Sequence, residues 1–543
     1  MSTTPRDERR FPDGALADET IAVVGAGFGG LSAACYLADA GADVTVFERN
    51  AHPGGYAGRI ERDGFRIDTG PSWYLMPEVF DRFFDHFGRS TDEFYELTEL
   101  DPLYELIWKD DDRATMPADR AGQKELFESY EAGAGDRLDD YLDDAAEAYE
   151  LGMDRFVYPS RSRLRDMVDT DVLRSARALP KLRTMDDYVG DDLDHAKQRQ
   201  IAEYKLVFLG GSPYNTPAIY TLMSHVDMNL GVYHPIGGIA SVVDGMAELA
   251  ADLGVEIHTN APVTAIEPSI AASTSAFEVR VREDEGANGN GDATDIAGDP
   301  ANATALGGRF DQVVANAAPP HVERDLLPDE YARRESYWES RTYAPSAFLL
   351  YAGVEGEVDL DHHALVLPTD WRPHFEGIFD EPAWPDDPAY YVHVPSKTDP
   401  EAAPEGHEAV FVLVPLAAGL DDDPDIRERF REQVLDDLAE QTGVDFRDRI
   451  VFEESACVSD FKRRFNAPRG TALALSHTLD QTGPLRPAHR APGVDGLYYV
   501  GAYTNPGIGM PMCLLSGEHV AEAVVEDSTG GVVPSVVPTS TWR

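Results

Sequence analysis

Apolar and polar positions near the start of the chain follow a pattern that predicts a β-α-β unit. TIAVVGAGFGG is an apolar run that enters a glycine-rich turn, as expected of a buried strand. LSAACYLADAG follows with the apolar spacing of a helix, and Gly41 is suited to end that helix. ADVTVFERN then predicts a second strand. The pattern indicates an α/β fold that opens with a Rossmann-like unit, after a polar tail at residues 1–18 that is expected to be disordered.

The rest of the chain divides by pattern into segments of different character. Residues 101–230 include ESYEAGAGDRLDDYLDDAAEAYELGM and HAKQRQIAEYKLVFLGG, whose spacing favours helices. Residues 231–330 return to mixed helix and strand, and residues 331–460 hold strand-like runs followed by the helix IRERFREQVLDDLAEQTG. We therefore predict a discontinuous nucleotide-binding domain (19–100, 231–330 and 461–527), a helical segment (101–230) and an α+β substrate domain (331–460).

Two further stretches are expected to lie outside these domains. Residues 284–308 are rich in Gly, Asp, Ala and Asn, which predicts a flexible surface insertion without chemistry. Residues 528–543 are expected to form a C-terminal tail.

The composition is that of a globular protein with a large excess of acidic residues. Hydrophobic residues make up 43% of the 543 residues, and the formal net charge is −52. This charge repels nucleic acid, so we expect no nucleic-acid partner. The acids could form an interaction tail or coat a protein from a salt-rich cytoplasm. Because they are spread along the chain, and because high salt screens their repulsion, the halophilic interpretation is favoured.

The three cysteines and the first residues of the chain predict no further functional site. Cys35, Cys457 and Cys513 lie far apart and form neither a metal-type spacing nor a disulfide framework, so no metal site is predicted. The first residues, MSTTPRDERR, lead into no apolar run, and no stretch reaches the apolar length of a membrane span. We therefore expect a cytoplasmic protein with at most peripheral membrane contact.

The glycine-rich turn carries the strongest chemical signal. Gly25 permits a tight turn, Gly27 lets the backbone approach a pyrophosphate, and Gly30 allows the helix to pack closely on the strand. The helix N-terminus then faces the phosphates with its positive dipole end. Glu48 closes the second strand, where a carboxylate accepts hydrogen bonds from ribose hydroxyls. Together these features predict a dinucleotide site.

The residues after Glu48 favour FAD over NAD. Arg49 is followed by Pro53-Gly54-Gly55 and by Gly64-Phe65-Arg66-Ile67-Asp68-Thr69-Gly70-Pro71, and a simple NAD domain has no need of this second glycine pair. The segment resembles the flavoprotein superfamily of amine oxidases, protoporphyrinogen oxidase and carotenoid desaturases. The resemblance implies that Arg49, Gly55, Gly70 and Val263 contact FAD. Where that superfamily usually has Arg after Pro-Gly-Gly, this chain has Tyr56, and Arg59 is the predicted substitute.

The far end of the chain supplies a partner motif. The run Gly496-Leu-Tyr-Tyr-Val-Gly501-Ala-Tyr-Thr-Asn-Pro-Gly507-Ile-Gly-Met-Pro511 precedes a predicted helix. It resembles the C-terminal FAD signature of carotenoid desaturases, with Asn505 where His is commoner. The resemblance places Gly501, Gly507 and Met512 near the flavin ring or its chain.

Other stretches make the chain similar to bacterial and archaeal phytoene desaturases over nearly its whole length. They are GPSWYLMPEVFDRFFDHFG, FLGGSPYNTPAIYTLMSHVDMNLGVYHPIGGIASVVDGMAELA, VVANAAPP and FNAPRGTALALSHTLDQTGPLRP. The resemblance implies an FAD-dependent phytoene desaturase that forms lycopene by hydride transfer to flavin, with quinone or oxygen as the final acceptor. A carotenoid 3,4-desaturase of bacterioruberin biosynthesis is the alternative within the same branch. Another enzyme of the superfamily, and a non-catalytic isoprenoid-binding chaperone on the same fold, are the remaining alternatives.

A polyene substrate implies an apolar tunnel and few charged catalytic residues, because the cofactor carries the chemistry. Trp73, Tyr74 and Phe208 are candidate tunnel residues and equally candidate core residues. His225 and His234 lie in a family-like stretch, but a lone histidine is more often structural, so no catalytic residue is assigned.

A basic cluster runs against the acidic background of the chain. Its members are Arg155, Arg161, Arg163, Arg165, Arg174, Arg177, Lys181 and Arg183. Interleaved apolar residues predict either a face that rests on anionic lipid headgroups or an internal salt-bridge network.

Overall fold

The computed structural model describes residues 11–12, 14–160, 183–269, 276–282, 307–531 and 533. The strands are β1 (Thr20–Val24), β2 (Asp43–Phe47), β3 (Arg59–Arg62), β4 (Phe65–Asp68), β5 (Leu97–Glu99), β6 (Tyr104–Trp108), β7 (Asp112–Met116), β8 (Tyr233–Pro235), β9 (Glu256–His258), β10 (Val263–Pro268), β11 (Phe277–Val281), β12 (Gly308–Phe310), β13 (Gln312–Ala315), β14 (Ser346–Glu355), β15 (His363–Leu367), β16 (Tyr390–His393), β17 (His407–Leu416), β18 (Ile450–Ala456) and β19 (Leu497–Tyr499).

The helices are α1 (Phe28–Asp39), α2 (Pro77–His86), α3 (Arg120–Tyr130), α4 (Ala134–Gly152), α5 (Met185–Asp192), α6 (Ala196–Glu203), α7 (Leu222–Met228), α8 (Ile239–Asp252), α9 (Pro319–His321), α10 (Glu335–Glu339), α11 (Arg372–Phe379), α12 (Pro424–Thr442), α13 (Val458–Phe465) and α14 (Met510–Thr529). Short turns of tighter or wider helix include Met153–Val157, Tyr204–Leu209 and Ala218–Thr221. Within the described residues, no helix has both the length and the apolar character needed to cross a membrane.

A parallel five-stranded sheet in the order β19-β13-β1-β2-β9 forms the centre of the nucleotide-binding half. Its strands pair in parallel throughout, as expected of a sheet wound by β-α-β units. Helices α1, α8 and α14 pack on one face through a core that includes Leu31, Met246 and Val520. The antiparallel sheet β10-β11-β12 covers the other face. This three-layer arrangement confirms the predicted α/β fold with a Rossmann-like unit.

The second half is built on a seven-stranded sheet in the order β18-β14-β17-β16-β15-β6-β7. Alternate residues of β14 face opposite sides, as the pleat of a strand requires. Phe348 and Leu350 pack in the core under α12, whereas Leu349 and Tyr351 face the helices on the other side. This second face becomes one wall of the cavity described below.

Three segment predictions need correction. The segment 101–230 is not helical throughout, because β6 and β7 lie in it and extend the seven-stranded sheet through parallel pairing of β6 with β15. Residues 11–12 and 14–18 do not form a disordered tail: Phe11 is buried and its ring packs on Tyr36 at 6.2 Å. The predicted C-terminal tail begins too early, since α14 continues to Thr529.

Other predictions fall largely outside the described residues. These include residues 1–10, most of the insertion 284–308, and the basic cluster from Arg161 to Lys181. The remaining domain boundaries stay a proposed division.

Candidate functional site

A cavity of about 1050 Å³ runs from the glycine-rich turn into the space beneath the seven-stranded sheet. At the nucleotide-binding end its lining includes Gly25, Gly27 and Gly29, with Glu48 and Arg49 at the end of β2. The predicted residues Gly55, Gly70, Val263 and Met512 line the same cavity. Residues predicted from distant motifs are therefore brought to one place by the fold.

In the glycine-rich turn, the backbone conformation or close neighbouring atoms disfavour a side chain at Gly25, Gly27 and Gly30. Gly25 has a φ of +101°, which strongly favours glycine. A Cβ on Gly27 would lie 2.6 Å from the Asn316 side-chain oxygen. A Cβ on Gly30 would collide with the Gly25 carbonyl oxygen, so Gly30 serves the packing of α1 on the turn and does not line the cavity. The result is exposed backbone at the N-terminus of α1, which suits a phosphate.

Glu48 is buried and held by two neighbouring segments. Its Oε2 accepts a hydrogen bond from the Ala26 backbone N–H at 2.8 Å. Its Oε1 accepts bonds from the backbone N–H and the side-chain amide of Asn50 at 2.8 and 2.7 Å. These bonds fix the carboxylate at the carboxyl end of β2, where its remaining lone pairs can accept ribose hydroxyls.

The second glycine pair packs directly against the first turn. The Gly54 backbone N–H donates to the Ala26 carbonyl at 2.8 Å, and a Cβ on Gly55 would lie 3.4 Å from the Gly27 Cα. Gly55 has a φ of +61°. This arrangement extends the surface of exposed backbone beyond the β-α-β unit, as expected of an FAD path.

Tyr56, at the position where arginine is usual, packs against α13. Its ring stacks on Phe465 of α13 with centroids 4.1 Å apart, and its hydroxyl donates to the Thr471 carbonyl at 3.3 Å. The same helix brings Arg464 into the cavity lining. Tyr56 thus fixes a helix that supplies a guanidinium from elsewhere in the chain.

Arg59, the predicted substitute, does not line the cavity. It lies on β3, where its guanidinium pairs with Asp244 at 2.5 Å and with Glu61 at 2.9 Å. The prediction for Arg59 was therefore wrong in placement, because the alternation of β3 turns its side chain toward α8. Arg464 was missed because it lies just before the family-like stretch that begins at Phe465 and belongs to none of the quoted motifs.

The C-terminal motif closes the cavity from the other side. Gly501 has a φ of +97°, and its backbone N–H donates to the Ser516 hydroxyl at 2.8 Å. A Cβ on Gly507 would collide with the His477 ring. The N-terminal residues of α14, Met510 to Cys513, line the cavity opposite the N-terminus of α1. Gly501 and Gly507 therefore shape the turn from behind the lining, whereas Met512 lies in it.

Two further residues organise the site without having been predicted. Asn316, at the end of β13, donates from Nδ2 to the Val500 carbonyl at 3.1 Å and lines the cavity between the two glycine turns. Arg486 is buried and donates to four carbonyls, those of Leu475, Gln481, Ala502 and Thr504. Burial lowers the pKa of Arg486 to about 10, so it remains a cation at neutral pH. It ties the segment 475–486 to the C-terminal turn.

Beyond the glycine turns, the cavity becomes an apolar chamber. Its wall is formed by side chains of the seven-stranded sheet and of α11, namely Leu349, Leu365, Leu367, Trp371, Phe375, Ile378, Tyr391 and Leu413. Trp73 faces them and stacks on His363 at 4.2 Å. The Tyr391 hydroxyl lies 3.0 Å from Ser72 Oγ and 2.6 Å from His363 Nδ1, which fixes the Tyr391 ring in the wall.

The remaining candidate residues have mixed outcomes. Trp73 lines the chamber, whereas Tyr74 is core and bonds the Tyr95 hydroxyl at 2.8 Å. The side chain of Phe208 lies outside the described part of the chain. His225 bonds Asn229 at 2.8 Å and is absent from the described lining, as is the buried His234.

The cavity fits FAD in shape and charge. Two helix N-termini and three lining guanidinium groups, those of Arg49, Arg282 and Arg464, favour a pyrophosphate. Backbone of Gly25, Gly27 and Gly29 lines the cradle, and Cβ atoms at Gly27 and Gly501 would each lie 2.6 Å from the Asn316 side chain between the two turns. The adjoining chamber offers apolar surface for a substrate beside the cofactor.

Comparisons with known proteins agree with this geometry. The family model described as flavin containing amine oxidoreductase matches residues 28–525. The chain is 53% identical over 515 residues to the carotenoid 3,4-desaturase of Haloarcula japonica, covering 94% of this chain and 99% of that protein. It is 29% identical over 525 residues to a 4,4'-diapophytoene desaturase (4,4'-diaponeurosporene-forming) of Staphylococcus aureus, covering 94% and 100%.

Solved structures support the same fold. An oxidoreductase from Methanosarcina mazei superposes with a TM-score of 0.57 at 16% identity, over 93% of this chain and 100% of that one. Wild-type putrescine oxidase bound to putrescine superposes with a TM-score of 0.56 at 15% identity, over 93% and 99%. At these identities the likeness concerns the fold alone.

The substitution Arg464→Gln is expected to weaken FAD binding by about 10- to 100-fold, because it removes a guanidinium from the lining that would pair with the cofactor phosphates. Flavin release during dialysis and equilibrium titration with FAD measure the change. Arg463→Gln on the same helix, whose guanidinium pairs with Asp460 (2.5 Å), and Arg59→Gln are matched controls that should keep the wild-type affinity. If Arg59→Gln lost FAD and Arg464→Gln retained it, the assignment of Arg464 rather than Arg59 to FAD binding would be contradicted.

Proposed function

The chain belongs to the flavin containing amine oxidoreductase family and is an FAD-dependent carotenoid desaturase, and from this premise we propose that it acts as a carotenoid 3,4-desaturase. The reaction removes two hydrogens from adjacent carbons near the end of a long polyene, as a step of bacterioruberin biosynthesis. The observation that carries the proposal is the 53% identity to the Haloarcula japonica carotenoid 3,4-desaturase over nearly both whole chains. The first expectation, phytoene desaturation, is less well supported, because the diapophytoene desaturase is only 29% identical.

The residues that hold FAD follow from the geometry of the cavity. The backbone of Gly25 to Gly29 and the N-terminus of α1 would hold the pyrophosphate, with Arg49 and Arg464 as counter-charges. Glu48 would accept hydrogen bonds from the ribose hydroxyls, and the N-terminus of α14 would stabilise negative charge on the flavin. FAD, when bound, supplies the acceptor for a hydride from the allylic carbon of the substrate.

The chamber orients the polyene and excludes water from the reacting carbons. Trp73 and Tyr391 are held rigidly by stacking and hydrogen bonds, so they can act as flat walls for a conjugated chain. Among the described lining residues the carboxylates are Glu48 and Asp325, and Asp325 is already paired with His321 at 2.6 Å. A chamber of this kind favours a hydrocarbon over a charged amine, which argues against the amine-oxidase alternative.

The same observations disfavour a non-catalytic chaperone. Such a protein needs an isoprenoid chamber but no complete flavin cradle. Here the two glycine turns and both helix N-termini converge on the chamber. Quinone and oxygen both remain compatible with this site as final electron acceptors.

We also propose that substrate enters from a membrane surface. Phe156 and Leu479 line the cavity and yet are 39% and 54% exposed, so they mark where it opens to the outside. Leu485, beside the lining residue Pro484, is 50% exposed. Exposed apolar side chains at the opening of a chamber for a bilayer-dissolved substrate suit peripheral contact with lipid. Of the predicted basic cluster, Arg155 and Arg183 are described, and Arg183 forms an ion pair with Asp191.

Expression in two pigment hosts tests the substrate. In a host that accumulates lycopene-derived carotenoids with saturated C3–C4 bonds, the chain is expected to produce carotenoids with longer conjugation, measured by chromatography and absorption. In a phytoene-accumulating host phytoene should remain unchanged. Gly27→Val serves as the inactive control, since its Cβ would lie 2.6 Å from the Asn316 side-chain oxygen and displace that residue of the lining. Formation of lycopene from phytoene would contradict the proposal and would support phytoene desaturation instead.

Vesicle binding tests the entry site. The double variant Phe156→Ser, Leu479→Ser is expected to bind anionic vesicles about 10-fold more weakly, because each substitution removes apolar surface that contacts lipid. Flotation measured at the salt concentration that keeps the protein folded gives the change, and FAD content should be unaffected. Val451→Ser, at a position that is 50% exposed on β18 and away from the cavity, is the matched control. Equal flotation of the double variant and wild type would contradict membrane entry at this opening.

A further inference from the structure

Three histidines from distant parts of the chain meet in the interior. His234 lies on β8, His362 directly precedes β15, and His393 ends β16. All three are buried, with exposures of 1%, 7% and 1%. One ring nitrogen from each lies within 4.8 Å of the others, and the Nε2 atoms of His362 and His393 are 3.1 Å apart. We call these residues the histidine triad.

The hydrogen bonding of the triad is incomplete. Within the described residues, neither ring nitrogen of His234 has a hydrogen-bond partner, and Nδ1 of His362 also lacks one. Buried polar atoms are nearly always paired, so an imidazole with two orphaned nitrogens indicates a missing partner. Asp399 lines the same small cavity as His234, and its Oδ2 accepts the Gly237 backbone N–H at 2.8 Å.

The distances are compatible with a shared metal ion as well as with a hydrogen bond between the rings of His362 and His393. Nitrogen ligands lie about 2.0–2.1 Å from a tetrahedral zinc ion, which places two such nitrogens about 3.3 Å apart. The 3.1 Å between His362 and His393 is close to that value.

We propose that the histidine triad binds a divalent transition-metal ion of the late first row, with zinc as the reference ion. Imidazole nitrogen is a preferred ligand for such ions, and three histidines leave one position for water or for a nearby carboxylate. A small cavity of about 10 Å³ adjoins His234 and is lined also by Asp68, Asp399, Arg59 and Arg66. Its size matches about one water molecule.

The metal would tie the two halves of the molecule together. His234 precedes α8 of the nucleotide-binding half, whereas His362 and His393 belong to the seven-stranded sheet. His363 packs on His362 at 4.5 Å between ring centroids and carries the stacked Trp73 on its other side. The ion therefore lies behind the chamber wall, where it would fix the position of Trp73 relative to the flavin cradle. Its role is structural and does not depend on the proposed substrate.

Metal content of the FAD-loaded protein tests the proposal. The wild-type protein, stripped with a chelator and titrated with Zn²⁺, is expected to retain about one equivalent per chain after gel filtration. Its thermal unfolding temperature should rise on loading, because a ligand that binds only the folded state stabilises it. Co²⁺ should give the visible absorption of a tetrahedral nitrogen site.

Single variants localise the ion. His234→Gln, His362→Gln and His393→Gln are each expected to bind Zn²⁺ about 100-fold more weakly. His374→Gln is the matched control, since His374 is a buried histidine whose ring nitrogens already bond the Pro415 carbonyl at 2.9 Å and the Ala389 N–H at 3.0 Å. The His374→Gln variant should still bind one Zn²⁺ ion with the wild-type affinity.

Two results would overturn the proposal. One is a wild-type protein that takes up no stoichiometric Zn²⁺ and shows no stabilisation. The other is retention of the tight site in the three triad variants. The wild-type titration is decisive even where a variant fails to fold. FAD content, read separately from flavin absorbance, distinguishes failure of the metal site from failure of the proposed enzyme.

Discussion

The close packing of the first helix against the last one is the constraint on which the rest of the site depends. Ser32 of α1 donates to the Leu514 carbonyl of α14 at 2.7 Å, and a Cβ on Gly517 would lie 2.6 Å from the Ala33 backbone nitrogen. Contact this close aligns two helices so that both N-termini open into one cavity. Each terminus presents unpaired N–H groups and a positive dipole end, and together they form an anion site from opposite ends of the chain.

The chamber follows from the way the second half joins this centre. Alternation along β14 and its neighbours sends one set of apolar side chains to the core under α12 and the other toward the cofactor cradle. The cavity is thus polar and glycine-lined where it meets phosphate and apolar where it meets substrate. A carotenoid desaturase needs this sequence of environments, because its substrate has no charge to bind and its cofactor has several.

Sequence patterns correctly predicted the elements whose structure depends mainly on residues close together in the chain. The strand, glycine turn and helix from Thr20 to Asp39 formed as expected, and Glu48 lies at the end of β2. The predictions that were wrong depend on tertiary contacts. Phe11 is buried because α1 and α2 offer it the rings of Tyr36 and His86, which no pattern in a polar N-terminal segment indicates. Arg464, and not Arg59, lines the cavity. Its helix α13 is held there by the stacking of Phe465 on Tyr56, a contact across most of the chain. The histidine triad was likewise not predicted, since its members come from three separated segments of the chain.

Anaerobic single turnover tests the central claim most directly, namely that flavin and polyene share one cavity and react within it. Purified protein with a known FAD content is mixed with a carotenoid that has saturated C3–C4 bonds, in the absence of oxygen and quinone, and the product is quantified by chromatography. The account predicts about one new double bond per bound FAD, with matching flavin reduction, because the bound cofactor is the only hydride acceptor supplied. Product formed in flavin-free protein, or full flavin occupancy without product or reduction, would contradict it.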